Sequence, residues 1–239
     1  MSALDRLSTG GGILVTYNIH KFVGRDGKRN EERILKIIGA INADILALQE
    51  FVLKDQSGNI AMVEEFAGRA GYHCIAQPMK RRRGMVQFNV LLTRAPAHSN
   101  NLVTLPRDGF EPRGFITVKI NADGQELQNA ATHLGLNPAA RMRQIKMIIE
   151  LCAQPTEAPF ALLGDLNTMF PWEAAKRFLG REFPDQKQPA AFPARLPLLA
   201  LDSIYLRPAR MIQSLRTFTE GAAREGSDHL PLIADIALT

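Results

Sequence analysis

The chain has 239 residues, with 29 Lys and Arg against 24 Asp and Glu, five His and two Cys; 46% of it is hydrophobic and 22% charged, which excludes a disordered chain. No apolar run approaches the roughly 20 residues of a membrane helix. Met1–Gly12 carries no secretory signal core, and Cys74 with Cys152 cannot make a disulfide framework or a thiolate zinc site, so a reducing, cytoplasmic compartment is expected. The formal charge of +5 hints at an anionic partner such as nucleic acid, phospholipid or a phosphate ester.

In chain order, Gly10-Gly11-Gly12 reads as a flexible lead-in to a strand over Ile13–Tyr17. Ile34, Ile37, Ile38 and Ile41 then repeat at i, i+3, i+4, i+7, the signature of a helix with one apolar face. Asn30 suits its N-cap, and Glu31 and Glu32 suit the positive end of its dipole. Ile45–Leu48 reads as a strand, and Met62–Ala70 as a helix closed by Gly71. Tyr72–Ala76, Val90–Thr93, Phe115–Ile120 and Leu127–Thr132 read as strands, with a loop bearing Pro106, Gly109 and Pro112 between the middle two. A second periodic helix runs over Ala139–Cys152, with Pro138 in its first turn and Arg141, Arg143 and Lys146 on a solvent face. Phe160–Leu163 reads as a buried strand, Trp172–Leu179 as a short helix and Gln186–Pro197 as a loop. Ile204–Leu206 and Leu232–Ile236 are the last strands. Strands that follow one another without helices imply a layered α/β protein rich in antiparallel pairing. No linker-like stretch divides the chain, which predicts one domain over 1–239.

No phosphate-binding P-loop, nucleophile elbow, zinc-protease helix motif or C-x-x-C occurs, and the glycine run precedes a strand where a dinucleotide loop would follow one. What remains is a set of polar residues at the ends of apolar strands, where layered α/β proteins build sites. The strand at Ile13 ends in Asn18 and His20, that at Ile45 in Gln49-Glu50, and that at Gln128 in Thr132-His133. The strand at Phe160 ends in Gly164-Asp165-Leu166-Asn167; Asp202 follows Leu201, and Ser227-Asp228-His229 enters the last strand. Singly, each has a structural reading: a solvated strand end, a satisfied histidine, an Asx-turn. Six such sites in this order are not expected by chance.

Thr16-Tyr17-Asn18-Ile19-His20, Leu48-Gln49-Glu50, Thr132-His133-Leu134, Gly164-Asp165-Leu166-Asn167, Leu201-Asp202-Ser203-Ile204 and Ser227-Asp228-His229-Leu230-Pro231 resemble the signature blocks of the endonuclease/exonuclease/phosphatase superfamily. That group includes DNase I, the abasic-site endonucleases, inositol polyphosphate phosphatases and neutral sphingomyelinases. The resemblance spans residues 13–236 and is greatest to short bacterial members with a Tyr-Asn-Ile-His-Lys opening. It implies a four-layer α/β sandwich, two packed mixed β-sheets flanked by helices, and hydrolysis of a phosphate ester with Mg2+ or Mn2+.

Residue by residue, the resemblance makes Glu50 the main metal ligand, with Asn18 and Asp228 at the same cluster. Asp165 and Asn167 would hold the attacking water and a phosphate oxygen; two residues apart on an extended backbone, they would share one side. His229 would be general base or phosphate donor, oriented by Asp202 through its other ring nitrogen. His133 would face the phosphate from the opposite side and protonate the leaving oxygen. Four carboxylates, Glu50, Asp165, Asp202 and Asp228, would then crowd one pocket, an arrangement that calls for a cation. The proton acceptor is Asp165 or His229, and the metal count is one or two.

This sequence departs from the superfamily pattern at Ser203, where a basic or aromatic residue is common. No acid stands near Gln87 and Asn89 to back His133. His20 follows Asn18 at strand spacing.

Lys80-Arg81-Arg82-Arg83 carries four of the five net charges. It reads either as a solvated loop or as a phosphate contact at the mouth of the site. Arg113, Asn89 and Arg83 are the candidate substrate-phosphate contacts. Three readings compete: a nuclease on DNA or RNA, an enzyme for a phospholipid head group or other small ester, and a non-catalytic anion-binding module. One Trp and three Tyr leave few side chains to stack on bases. No oligomeric state is set, and a monomer suffices.

Overall fold

The computed structural model describes residues 6–54, 59–107, 111–122, 124–152 and 159–238. Its strands in chain order are β1 (Gly11–Asn18), β2 (Ile45–Lys54), β3 (His73–Arg82), β4 (Met85–Thr93), β5 (Ser99–Leu105), β6 (Arg113–Ala122), β7 (Gln125–His133), β8 (Phe160–Asp165), β9 (Asp202–Arg207), β10 (Ile212–Thr217) and β11 (Leu232–Ala237). Four helices of two turns or more accompany them: α1 (Glu31–Ile41), α2 (Ala61–Arg69), α3 (Pro138–Cys152) and α4 (Ala174–Glu182). Among the described residues no helix is long and apolar enough to cross a membrane.

One sheet has the order β10-β11-β1-β2-β4-β3, the other β5-β6-β7-β8-β9. Both are mixed, because β1–β2 and β7–β8 are parallel and the remaining pairs antiparallel. Alternation along each strand sends successive side chains to opposite faces. Leu14, Ala47, Leu91, Ile116, Ala131, Leu163 and Ile204 meet between the sheets. Val15, Tyr17, Leu46 and Leu48 turn outward onto the isoleucine stripe of α1 and onto Val63 and Phe66 of α2. Phe160, Leu162 and Tyr205 turn the other way, onto Ile145, Ile148 and Leu179 of α3 and α4. The result is helix, sheet, sheet, helix, and each fully buried aliphatic side chain contributes about 1.5–3 kcal/mol.

Local signals agree with the predicted elements in most places. Asn30 caps α1 by accepting from Arg33 N at 2.9 Å. Asn137 accepts from Ala139 and Ala140 N, one residue before Pro138 opens α3. Gly71 closes α2 at φ 76°.

Several expectations are corrected. Gly11 and Gly12 are not a lead-in; they pair with Ala237 and Ile236 in β1. Two further strands are present, β5 and β10. β5 is largely exposed and polar, so apolar patterning does not mark it, and it occupies part of the stretch before the proline-bearing loop. Gly109 lies outside the described residues. α4 spans Ala174–Glu182, later than the Trp172–Leu179 reading. Arg141 is buried, not on a solvent face: it donates to Gly135 and Leu136 carbonyls and pairs with Glu173.

The largest correction concerns the basic run. Lys80, Arg81 and Arg82 are strand residues paired with Gln87, Val86 and Met85. Arg83 and Gly84, at φ 50° and 72°, form the two-residue turn of a β3–β4 hairpin. Two consecutive positive φ angles fit the right-handed twist of the flanking strands, and Gly at the second position lowers their cost.

Candidate active site

Parallel pairing puts Asn18 beside Gln49 and His133 beside Asp165, and antiparallel pairing puts Asp202 beside Asp165. The polar strand ends therefore meet at one edge of the sandwich. Two backbone features serve this edge. A register shift between Leu48 and Phe51 bulges β2 where Glu50 takes φ 55°. Phe51 locks the bulge from behind, its ring 4.8 Å from Phe22 and 5.1 Å from Phe66. Gly164 takes φ 156°, and a Cβ there would stand 2.0 Å from Thr132 O. Only glycine allows the approach of β8 to β7 that sets Asp165 beside His133.

The centre of the site is Asp165, Asp202 and His229, whose ligand atoms lie within 4.8 Å of one another, all buried. His229 Nδ1 is 2.8 Å from Asp202 Oδ2, and its Nε2 is 3.9 Å from Asp165 Oδ2. Burial opposes charge on this imidazole, but the charge and hydrogen bond of Asp202, with Asp165 and Asp228, override it and raise its pKa to about 10. The ring packs on Phe192 at 4.7 Å. Ser227 Oγ donates to Asn18 O at 2.7 Å and accepts from His229 N, tying the segment before β11 to the end of β1.

Asn18 Nδ2 donates to Asp165 Oδ2 at 3.0 Å. His133 Nε2 is 3.6 Å from the same oxygen, while its Nδ1 has no hydrogen-bond partner among the described residues. Burial, then the positive charge of Arg113, push His133 down to about 3, so it is neutral. A neutral imidazole does not deliver a proton as an imidazolium would, which weighs against the acid role expected of His133.

Asn167 departs from the expected backbone. It takes φ 53°, so the extended-backbone argument for a shared side fails. Its N donates to Asp165 Oδ1 and its amide to Leu134 O, the Asx-turn arrangement.

The four carboxylates do not share one point. Glu50 pairs with Lys21 Nζ at 2.9 Å; burial alone would raise its pKa, but Lys21, His20 and Asn18 hold it below the usual carboxylate range. Asp228 is two-fifths exposed, 3.7 Å from His20 Nδ1. Asn89 is buried and donates to Gly114 O, which Thr132 Oγ1 also bonds, so it bridges the two sheets. Ser203 is buried, its hydroxyl without a partner among the described residues.

Beside Glu50 opens a cavity of about 630 Å3. Lys21, Arg29, Lys80, Arg82, Arg83 and Arg113 line it, against Glu50 and Glu111. Arg113 is buried, which lowers its pKa against the opposing pull of Glu111, Asp165 and Glu50. Lys21 and Arg29 were not singled out from the sequence. Lys21 had a signal, as the residue that follows Asn18-Ile19-His20. Arg29 had none; it reaches the cavity by donating to Lys21 O and Val52 O and lying 4.6 Å over Phe22.

The model of the endonuclease/exonuclease/phosphatase family matches residues 15–229. The chain belongs to this family. It is 29% identical over 258 residues to the uncharacterized protein YbhP of Escherichia coli (strain K12), covering 94% of this chain and 96% of that one. Among solved structures, an endonuclease/exonuclease/phosphatase of Beutenbergia cavernae superposes with a TM-score of 0.78 at 22% identity, over 95% of this chain and 72% of that chain. The mannosyl-6-phosphatase of Bacteroides thetaiotaomicron gives 0.72 at 16%, over 94% and 99%. The four-layer sandwich of the family member described above is thus DNase I-like, and the members of this family are phosphoester hydrolases.

Proposed function

We propose that this family member is a metal-dependent phosphoesterase that cleaves a phosphate ester, foremost a phosphodiester, by in-line attack of water at the Asp165–His229–Asp202 cluster. The observation that carries the reading is the 2.8 Å contact of His229 Nδ1 with Asp202, which leaves Nε2 facing Asp165. The donor set fits a hard divalent cation such as Mg2+ or Mn2+. It is oxygen-rich: Glu50, Asn18 and Asp228 offer side-chain oxygens at neighbouring strand ends, and no thiolate lies among them. Glu50 is assigned as principal ligand, with Asn18 and Asp228 at its side. Asp202 is left out of that set because its Oδ2 is committed to His229.

A divalent cation at Glu50 would polarise the phosphoryl oxygen and offset the charge of the neighbouring carboxylates. Asp202 holds His229 in one orientation and keeps it an imidazolium, so Nε2–H donates to a phosphoryl oxygen. Asp165, fixed by Asn18, is assigned in this reading as the acceptor of the attacking water's proton. Asn167 positions Asp165 through its backbone. Neutral His133 and cationic Arg113 face the phosphate. The cytoplasm is the compartment this reading assumes, with Cys74 and Cys152 both free.

The test is Mg2+-dependent hydrolysis of an aryl phosphodiester by the protein and by Glu50→Gln and His229→Ala. Losses of about 10³-fold or more are expected in each variant. Calorimetry should show that Glu50→Gln also loses Mg2+ binding. Undiminished hydrolysis in either variant sinks the assignment.

A further inference from the structure

The proposed chemistry needs room for one phosphate, and the cavity is much larger than that. At about 630 Å3 it has the size of a site for a whole small molecule. It runs from Glu50 to the tip of the β3–β4 hairpin. The strand ladders set its length: β4 puts Phe88 opposite Phe51, the neighbour of Glu50, and Met85 opposite Arg82. Three residue steps along β4 separate these two pairs, so the hairpin tip stands about 10 Å from the Glu50 end.

Among the described lining residues, Lys and Arg exceed Glu by four. Lys21 and Lys80 are already paired, with Glu50 and Glu111. Arg113, at the reaction end, has a side chain 10% exposed, and its Nε has no hydrogen-bond partner among the described residues. Its nearest carboxylate contact, Glu111, is 3.7 Å away. A buried guanidinium N–H left unused is costly until an acceptor reaches it. Arg82 and Arg83 at the far end are exposed, consecutive in the hairpin, and both line the cavity. Such a pair fits a second anion that binds both.

We propose that this cavity is a two-phosphate site. The scissile phosphate sits at the Glu50–Arg113 end, and a second phosphate of the same molecule sits on Arg82 and Arg83. Between them, no described residue lining the cavity offers an aromatic ring to a nucleobase, and Val23, Val52 and Met85 offer aliphatic surface instead. The substrate class is therefore a small phosphate ester carrying a second phosphate on an aliphatic or polyol frame. This assignment rests on the phosphoesterase reading of the neighbouring site.

The experiment compares two non-hydrolysable probes, hexane bisphosphonate and hexyl phosphonate, by titration calorimetry in Mg2+ buffer. The bisphosphonate should bind the intact protein about tenfold or more tighter. In Arg82→Gln/Arg83→Gln, whose side chains are exposed, the ratio should fall to about one. In Arg82→Lys/Arg83→Lys, which keeps the charge but not the fork, it should fall only partly. Equal binding of the two probes, or a ratio that survives Arg82→Gln/Arg83→Gln, overturns the second subsite. A thymidine tetranucleotide that binds more tightly than the bisphosphonate, with the same loss in the variant, overturns the small-ester assignment in favour of nucleic acid. Hydrolysis of an aryl phosphodiester is measured beside these. Selectivity without hydrolysis upholds the subsite and sinks the catalytic reading, and hydrolysis without selectivity does the reverse.

Discussion

Asn18 and Asp165 meet across the gap between the two sheets, the amide of one donating to Oδ2 of the other at 3.0 Å. The amide cannot flip, because its Oδ1 already accepts from His20 N. The contact ties the end of β1 to the end of β8, so the sheet packing itself sets the position of the proposed proton acceptor. Asn18→Asp would replace this donor with a second carboxylate. Hydrolysis should fall about 10²-fold, and the acid limb of the pH–rate profile should move up as two carboxylates share the space. An unmoved acid limb would count against Asp165 as the proton acceptor.

Asp202→Asn tests the orienting role of Asp202 without removing volume. The amide still reaches His229 Nδ1, but it can no longer hold an imidazolium. The His229 pKa should fall from about 10 toward its ordinary 6.5. Turnover should drop about 10²–10⁴-fold with little change in KM. Following the ring protons of His229 by NMR as pH is varied measures the first effect directly. A titration that stays alkaline in the variant would place the cause elsewhere.

Much of this site was legible because strand ends are written in sequence. Asn18, Glu50, Asp165, Asp202 and His229 each follow or enter an apolar run, and the parallel pairs β1–β2 and β7–β8 bring those ends together. What was not legible depends on tertiary geometry. A bulge turns Glu50 toward Lys21, and no local pattern marks a bulge. The Asx-turn at Asn167 and the burial that keeps His133 neutral come from neighbours distant in sequence. Arg141 looked like surface because charge usually is; its partner Glu173 lies 32 residues on. β5 stayed hidden because an exposed edge strand needs no apolar alternation.

Gly164→Ala should be severe. The new methyl would press on Thr132 O, a backbone atom inside the sheet that cannot swing away. The expected cost is about 3 kcal/mol, from overpacking together with a strained backbone. Urea denaturation measures it. In whatever fraction folds, hydrolysis should fall as well, since Asp165 and His133 sit one residue beyond the clash. A variant of near-native stability would contradict the close approach of β7 and β8.

Tyr17→Phe should do the opposite. The hydroxyl is buried and has no hydrogen-bond partner among the described residues, and burial raises its pKa well beyond the phenol range. Removing a buried unpaired hydroxyl should leave stability unchanged or raise it by about 1 kcal/mol. A loss of stability on denaturation would reveal a partner for that oxygen.

The two site histidines should shape the pH dependence of stability in opposite windows. His229 is raised from 6.5 to about 10 by folding, so the folded chain holds its proton more tightly than the unfolded one. Its contribution is fully present below 6.5 and is lost as pH climbs through about 10. His133 is lowered from 6.5 to about 3, so the unfolded chain binds its proton first. Its contribution is present above 6.5 and drains away as pH falls toward about 3. Folding free energies measured in chelator across this range should therefore peak near 6.5 and decline on both sides. His229→Gln should flatten the alkaline limb and leave the acid limb. His133→Gln should flatten the acid limb above the range where carboxylates titrate, and leave the alkaline one. If the two variants exchanged limbs, the burial and charge assigned to each ring would be reversed, and with them the assignment of His229 as the charged donor of the site.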